Sequence, residues 1–193
     1  WVGHFDLVIV RSPAELREIV GKGRWAVLGQ PGPATEGLGD HDPAAVTGPL
    51  DYARAVKTPY EIECMAFATV AGVRAHRAAE RAFRAGASEY ETHLAYCQAA
   101  GAREEELPYN NIIGFDRHAA VLHYQVLDRQ RPAGVKSFLI DAGAQHAGYA
   151  CDITRTYASH PGEFLDLIRS VDAAQQKLAD RVRPGVDYRD IHL

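Results

Sequence analysis

Two aspartates, Asp141 and Asp152, stand inside β-prone runs of the stretch Phe138–Tyr157, FLIDAGAQHAGYACDITRTY. Aspartate is depleted in strands, so a sequence that places two there sets them against the local preference. The runs FLID and YACDITRTY flank a glycine-containing turn, which is a hairpin pattern. With a two-residue turn at His146-Ala147, antiparallel register puts Asp141 directly opposite Asp152. Opposed residues share a face, with Cβ atoms about 4.5–5.5 Å apart. Carboxylates that close repel unless a cation lies between them or one takes a proton. Hard oxygen donors suit Mn, Mg or Ca and also hold Zn or Co. The residues alone leave a second reading open, in which Asp141 starts a loop at Ala142-Gly143 and Asp152 caps a turn, the register being lost to a bulge. Thr154, two residues beyond Asp152, shares its face. Its hydroxyl can orient a carboxylate or simply reflect β propensity.

A second constellation lies in Leu107–Tyr124, LPYNNIIGFDRHAAVLHY. His123 ends a short apolar, strand-like run, and Tyr109 precedes it in a polar turn. An imidazole near neutrality can bind substrate or move a proton, although most histidines do neither. Pattern assigns no role to His118, His146 or His192.

The elements that must position these groups follow from caps and breakers. Phe5–Val10 reads as a strand, Ser12-Pro13-Ala14-Glu15 as a helix start, and Trp25–Leu28 as a second strand beyond Gly21 and Gly23. Strand, helix and strand in so few residues suggest a parallel unit. Residues 29–49, rich in Gly and Pro, read as loop and linker. Thr58-Pro59-Tyr60-Glu61 opens a long helix that stops at Gly86, and Ser88-Glu89-Tyr90-Glu91 opens another that Gly101 closes. A strand-rich stretch from Tyr109 to Tyr157 and a helix from about Gly162 to Val182 follow. Asp187 can cap a further helix, with Asp190 in its first turn. The expectation is an α/β (α+β) chain of two parts. Residues 1–50 form the later part of a small α/β domain, and residues 51–193 the first part of a larger one. Both ends read as cut inside a domain.

The chain has 193 residues, 47% of them hydrophobic and 24% charged, with a formal net charge of -4. No basic stripe points to nucleic acid, and no apolar run approaches a membrane span. Cys64, Cys97 and Cys151 are odd in number and widely spaced, which suits a reducing compartment; cytoplasm is the expectation.

The motifs KTPYEIECM (57–65), HRAAERAF (76–83), LPYNNI (107–112), AAVLHY (119–124), FLIDAG (138–143) and GYACDITRTY (148–157) together resemble the pita-bread metallopeptidase family, in particular its bacterial Xaa-Pro dipeptidase (prolidase) branch. The likeness spans nearly the whole chain and is dense from Lys57 onward. It implies that Asp141 and Asp152 are the first two of five protein ligands to two divalent metal ions, Mn foremost with Co or Zn as alternatives. It also implies that His123 lies near the scissile bond, and that Tyr109 and Leu122 line the substrate pocket. The remaining family ligands, one histidine and two glutamates, are expected beyond residue 193, and the fragment itself is expected to be inactive. The implied chemistry is hydrolysis of Xaa-Pro dipeptides by a hydroxide held between two cations, in a homodimer without nucleic-acid or membrane partners. An Xaa-Pro aminopeptidase shares the site, and the LPYNNI and KTPYEIECM segments favour the dipeptidase branch. Creatinase-type enzymes lack the paired aspartates, and non-catalytic protein-binding relatives have lost the ligands.

Overall fold

The computed structural model describes residues 8–23 and 25–192. The chain forms two compact units, residues 1–58 and 59–193, so the division falls eight residues beyond the expected 50/51.

In the first unit, α1 (Pro13–Val20) is capped by Ser12, whose hydroxyl accepts from the Glu15 amide at 3.2 Å, and ends at Gly21 with φ 68°. Strand β1 (Trp25–Val27) pairs in parallel with β2 (Gly39–His41). A parallel pair is present, but its second strand lies within the stretch read as loop. The expected strand Phe5–Val10 falls partly outside the described residues, and Val8–Val10 carry no strand. Helix α2 (Ala44–Ala55), with Pro49 inside it, begins within the stretch read as linker and runs beyond it. Gly48 and Pro49 read as breakers, whereas the alanines on both sides carry the helix through them.

The second unit is built on α3 (Pro59–Arg84) and α4 (Glu89–Ala100). Ser88 and Glu91 form the expected reciprocal capping box, and Gly101 closes α4 in the left-handed conformation. Small residues at Ala68, Gly72, Ala75 and Ala79 make one buried stripe of α3. A Cβ on Gly72 would come within 2.6 Å of Cys151 Sγ, so only glycine admits that approach. Strands β3 (Ile112–Phe115), β4 (Ser137–Ala142) and β7 (Ile153–Ala158) form an antiparallel sheet in the order β3-β4-β7. The side chains of β4 alternate, and Phe138, Ile140 and Ala142 are fully buried. Phe83, Phe115 and Phe138 meet with ring centroids 5.0–5.4 Å apart, and Tyr157 stacks on Phe138 at 5.4 Å. This aromatic core leaves the opposite face of β4, which carries Asp141, free for chemistry.

The hairpin differs from expectation in register. A short ribbon, β5 (Gln145–His146) with β6 (Tyr149–Ala150), pairs His146 with Tyr149, so the turn is Ala147-Gly148. Both turn residues have positive φ, 51° and 84°, the geometry that matches strand twist in a two-residue loop. Asp141 therefore lies opposite Thr154 rather than Asp152. Helix α5 (Glu163–Ala179) follows. Asp187 then caps α6 (Tyr188–His192), accepting from the Arg189 amide at 3.0 Å. Among the described residues no helix is long and apolar enough to cross a membrane.

Candidate metal centre

The observed register differs from the expected one by two residues, and side chains alternate with period two. Asp141 and Asp152 therefore keep a common face as diagonal rather than direct neighbours. Beyond the ladder of β4 and β7 the pairing continues, with the Cys151 amide donating to the Ala144 carbonyl at 2.9 Å. This continuation sets Gly143 against Asp152. A Cβ on Gly143 would meet the Cys151 carbonyl oxygen at 2.4 Å, Pro108 Cγ at 2.7 Å and Tyr109 Cε1 at 2.9 Å. The space a side chain would occupy is filled by the Pro108-Tyr109 turn.

That turn aims the Tyr109 hydroxyl at both carboxylates, 2.9 Å from Asp141 Oδ1 and 2.7 Å from Asp152 Oδ1. The two carboxylate oxygens are thus closer together than the two bonds laid end to end. One phenol proton serves only one acceptor at a time. Burial, and then the two carboxylates, push the Tyr109 pKa far above that of ordinary tyrosine, so the group remains a neutral donor. Neither aspartate forms an ion pair among the described residues. Two acidic groups converging on one point without a cationic side chain fit hard divalent cations as their counter-charge. The described residues contain no group of three or more ligating side chains, so among them the two carboxylates stand as a pair without a third ligating group.

Beneath the pair, His76 of α3 is buried, with Nε2 3.1 Å from the Ala142 carbonyl. The carbonyl can only accept, which places the proton on Nε2. Burial lowers the His76 pKa and keeps the ring neutral. The strand end that carries Asp141 is thereby tied to the long helix.

Tyr109, His123, Asp141 and Asp152 line one open cleft of about 550 Å³, together with Asn110, Ile112 and Gln125. His123 stands in a turn, with φ 56°, not at the end of a strand. Its segment folds as a 3₁₀ turn over Asp116–Ala120 followed by irregular chain. Leu122 is 86% exposed and does not line the cleft. Thr154 sits opposite Asp141 on the shared face, yet its hydroxyl bonds neither carboxylate among the described residues. Asn110 and Gln125 escaped the sequence reading. Asn110 follows Tyr109 and Gln125 lies two residues beyond His123, and no spacing rule marks an amide at either place.

The sequence profile of metallopeptidase family M24 matches residues 63–193. The chain belongs to that family. Among curated relatives it is 51% identical over 196 aligned residues to Xaa-Pro dipeptidases from Stenotrophomonas maltophilia and from Xanthomonas campestris pv. campestris. All of this chain is covered in each case, but 44% of the relative, so the chain spans less than half the length of these proteins. Among solved structures, Escherichia coli aminopeptidase P superposes with a TM-score of 0.63 at 27% identity, covering 70% of this chain and 32% of that one. An X-Pro aminopeptidase from Thermotoga maritima superposes with a TM-score of 0.64 over 77% of this chain and, at 24% identity, speaks to fold alone. The M24 chain thus carries part of a pita-bread domain, as its motifs imply. Membership of a metallopeptidase family and the oxygen pair on the hairpin agree on divalent metal as the group to be held.

Proposed function

We propose that the protein containing this chain is an Xaa-Pro dipeptidase, with Asp141 and Asp152 as ligands shared between two divalent cations. The convergence of both carboxylates on one hydroxyl at the floor of an open cleft carries this reading. The relatives named Xaa-Pro dipeptidase at 51% identity support the same substrate class. When bound, the cations supply a nucleophile at neutral pH by lowering the pKa of water. Mn is the metal we favour, with Co or Zn as alternatives.

The chain's own residues then have definite tasks. Asp141 and Asp152 hold the charge. Tyr109 fixes their relative position and keeps its proton. His123, across the same cleft, donates toward the carbonyl oxygen of residue Xaa as negative charge develops there. The Xaa-Pro bond is a tertiary amide without an N–H and its ring fixes φ, so recognition rests on the shape of a ring pocket and on the free carboxylate. The same reading places a homodimer in the cytoplasm with no nucleic-acid partner.

The deciding experiment assays the full-length protein with Ala-Pro and with longer Xaa-Pro peptides after metal loading. Dipeptide hydrolysis that is lost together with bound metal in Asp152→Ala is the expected result. Full activity in that variant removes the metal reading. Preference for longer peptides favours an Xaa-Pro aminopeptidase, the alternative to which the structural neighbours lend weight.

A further inference from the structure

Glu89 stands in the first turn of α4 with its side chain 2% exposed. Four donors converge on this carboxylate. The Phe115 amide and His118 Nδ1 meet Oε1, and the Tyr124 hydroxyl and the Asp128 amide meet Oε2, all at 2.8 Å. An ionised carboxylate only accepts, at about four lone-pair sites, so every site is filled. The four donors come from the start, the middle and the end of one segment, residues 115–128. The return bond, from the Tyr90 amide to the Asp128 carbonyl at 3.1 Å, closes the segment onto the same helical turn.

That segment carries His123, next to Tyr124. It also holds three non-glycine residues in the left-handed region, Asp116, His123 and Leu127 with φ 48°, 56° and 53°. Such backbone is sterically unfavourable and persists where its surroundings over-determine it. The His118 ring stacks on Tyr124 at 4.5 Å, which joins two of the donors into one block. We propose that Glu89 is a positioning residue for His123: one buried carboxylate pins the loop that presents the imidazole to the cleft. This rests on the role given to His123 above. Glu89 bonds neither aspartate and does not line their cleft.

The test is a double-mutant cycle in metal-loaded full-length protein with Ala-Pro as substrate. Glu89→Gln keeps the volume but presents an amide donor where two donors already point, so at least one end of the loop is released. The expected result is a fall in kcat of about tenfold or more, equivalent to about 1.4 kcal/mol, with metal content unchanged. In a His123→Ala background the same change should cost less than about twofold, because residues acting as a unit are not additive. Independent, multiplying losses, or an unchanged kcat in Glu89→Gln, overturn the proposal. If Glu89→Gln does not fold, Tyr124→Phe removes one donor and should show a smaller loss that also vanishes without His123; an equal loss in both backgrounds overturns it. Amide hydrogen exchange over residues 116–127 reads the clamp without turnover. Faster exchange in Glu89→Gln or Tyr124→Phe is expected, and unchanged protection refutes the clamp even where absence of Xaa-Pro hydrolysis by the parent protein has refuted the proposed function.

Discussion

A phenol that touches two carboxylates and holds one proton can relieve only part of their repulsion, and Tyr109 is in that position. Without metal, Tyr109→Phe leaves two acidic groups facing each other with no shared donor. Loss of a hydrogen bond to a charged group costs about 1 kcal/mol where, as here, the bond to Asp141 is half-buried and the bond to Asp152 exposed. The variant should therefore lose about that much stability in the presence of a chelator and regain most of it at saturating Mn, read as urea midpoints under the two conditions. Equal losses with and without metal would show that the hydroxyl does not mediate between the carboxylates. The identities of Asp141, Asp152, Tyr109 and His123 were legible in the sequence because their motifs are specific. Glu89 was not. A glutamate after a capping serine reads as a partner for the helix dipole, and its four donors, all of them more than 25 positions away, leave no local trace.

The hairpin supplies the precision at the level of elements. Its existence and the shared face of the aspartates were readable from alternation, while the exact pairing was not, because His146-Ala147 and Ala147-Gly148 are both two-residue turns. Gly148 is the signal that decides between them, since positive φ at both turn positions favours glycine. The strand expected to end at His123 is absent for a related reason: Asp116 and His123 are left-handed, in a segment whose neighbouring residues Phe115, His118 and Tyr124 are bonded by Glu89 of α4, and apolar content alone cannot reveal that. Gly143 makes the contact with the Pro108-Tyr109 turn possible. Gly143→Ala should push the turn away and cost about 1–3 kcal/mol through overpacking, with weakened Mn binding measured by calorimetric titration; unchanged affinity would separate the turn from the site. The two central helices make a prediction of their own. Burial lowers the pKa of His76 on α3, and of His93 on α4, where Glu104 pulls the other way less strongly. The unfolded chain then binds more protons than the folded one in the acid range. Stability is full above the ordinary histidine value, about 6.5, starts to fall as pH drops below it, and has lost this contribution once pH passes the lowered folded values. Urea midpoints between about pH 7 and about pH 5.5 should fall less in His76→Gln than in the parent, and equal slopes would assign the acid sensitivity elsewhere.

At the scale of the molecule, the question is what two ligands can do without others. A cation gains affinity with each coordinating group that is already in place, and every carboxylate or imidazole missing from the shell is replaced by water at a loss of binding and of orientation. Among the described residues no third ligating side chain joins Asp141 and Asp152, and the chain spans 44% of the length of the dipeptidases it matches. On the proposed reading the two cations need further ligands beside this pair. An isolated polypeptide of residues 1–193 should consequently fold around its aromatic core and retain the Tyr109 contacts, yet bind Mn weakly and turn over no measurable Ala-Pro. The full-length protein should bind Mn at least about a hundredfold more tightly, since the loss of even one supporting interaction at a metal site is worth about 10–100-fold. Calorimetric titration of both polypeptides, beside a dipeptidase assay, compares them directly. Mn-dependent hydrolysis by the purified 1–193 polypeptide would mean that two carboxylates and His123 suffice, and the requirement for a completed ligand shell would have to be abandoned.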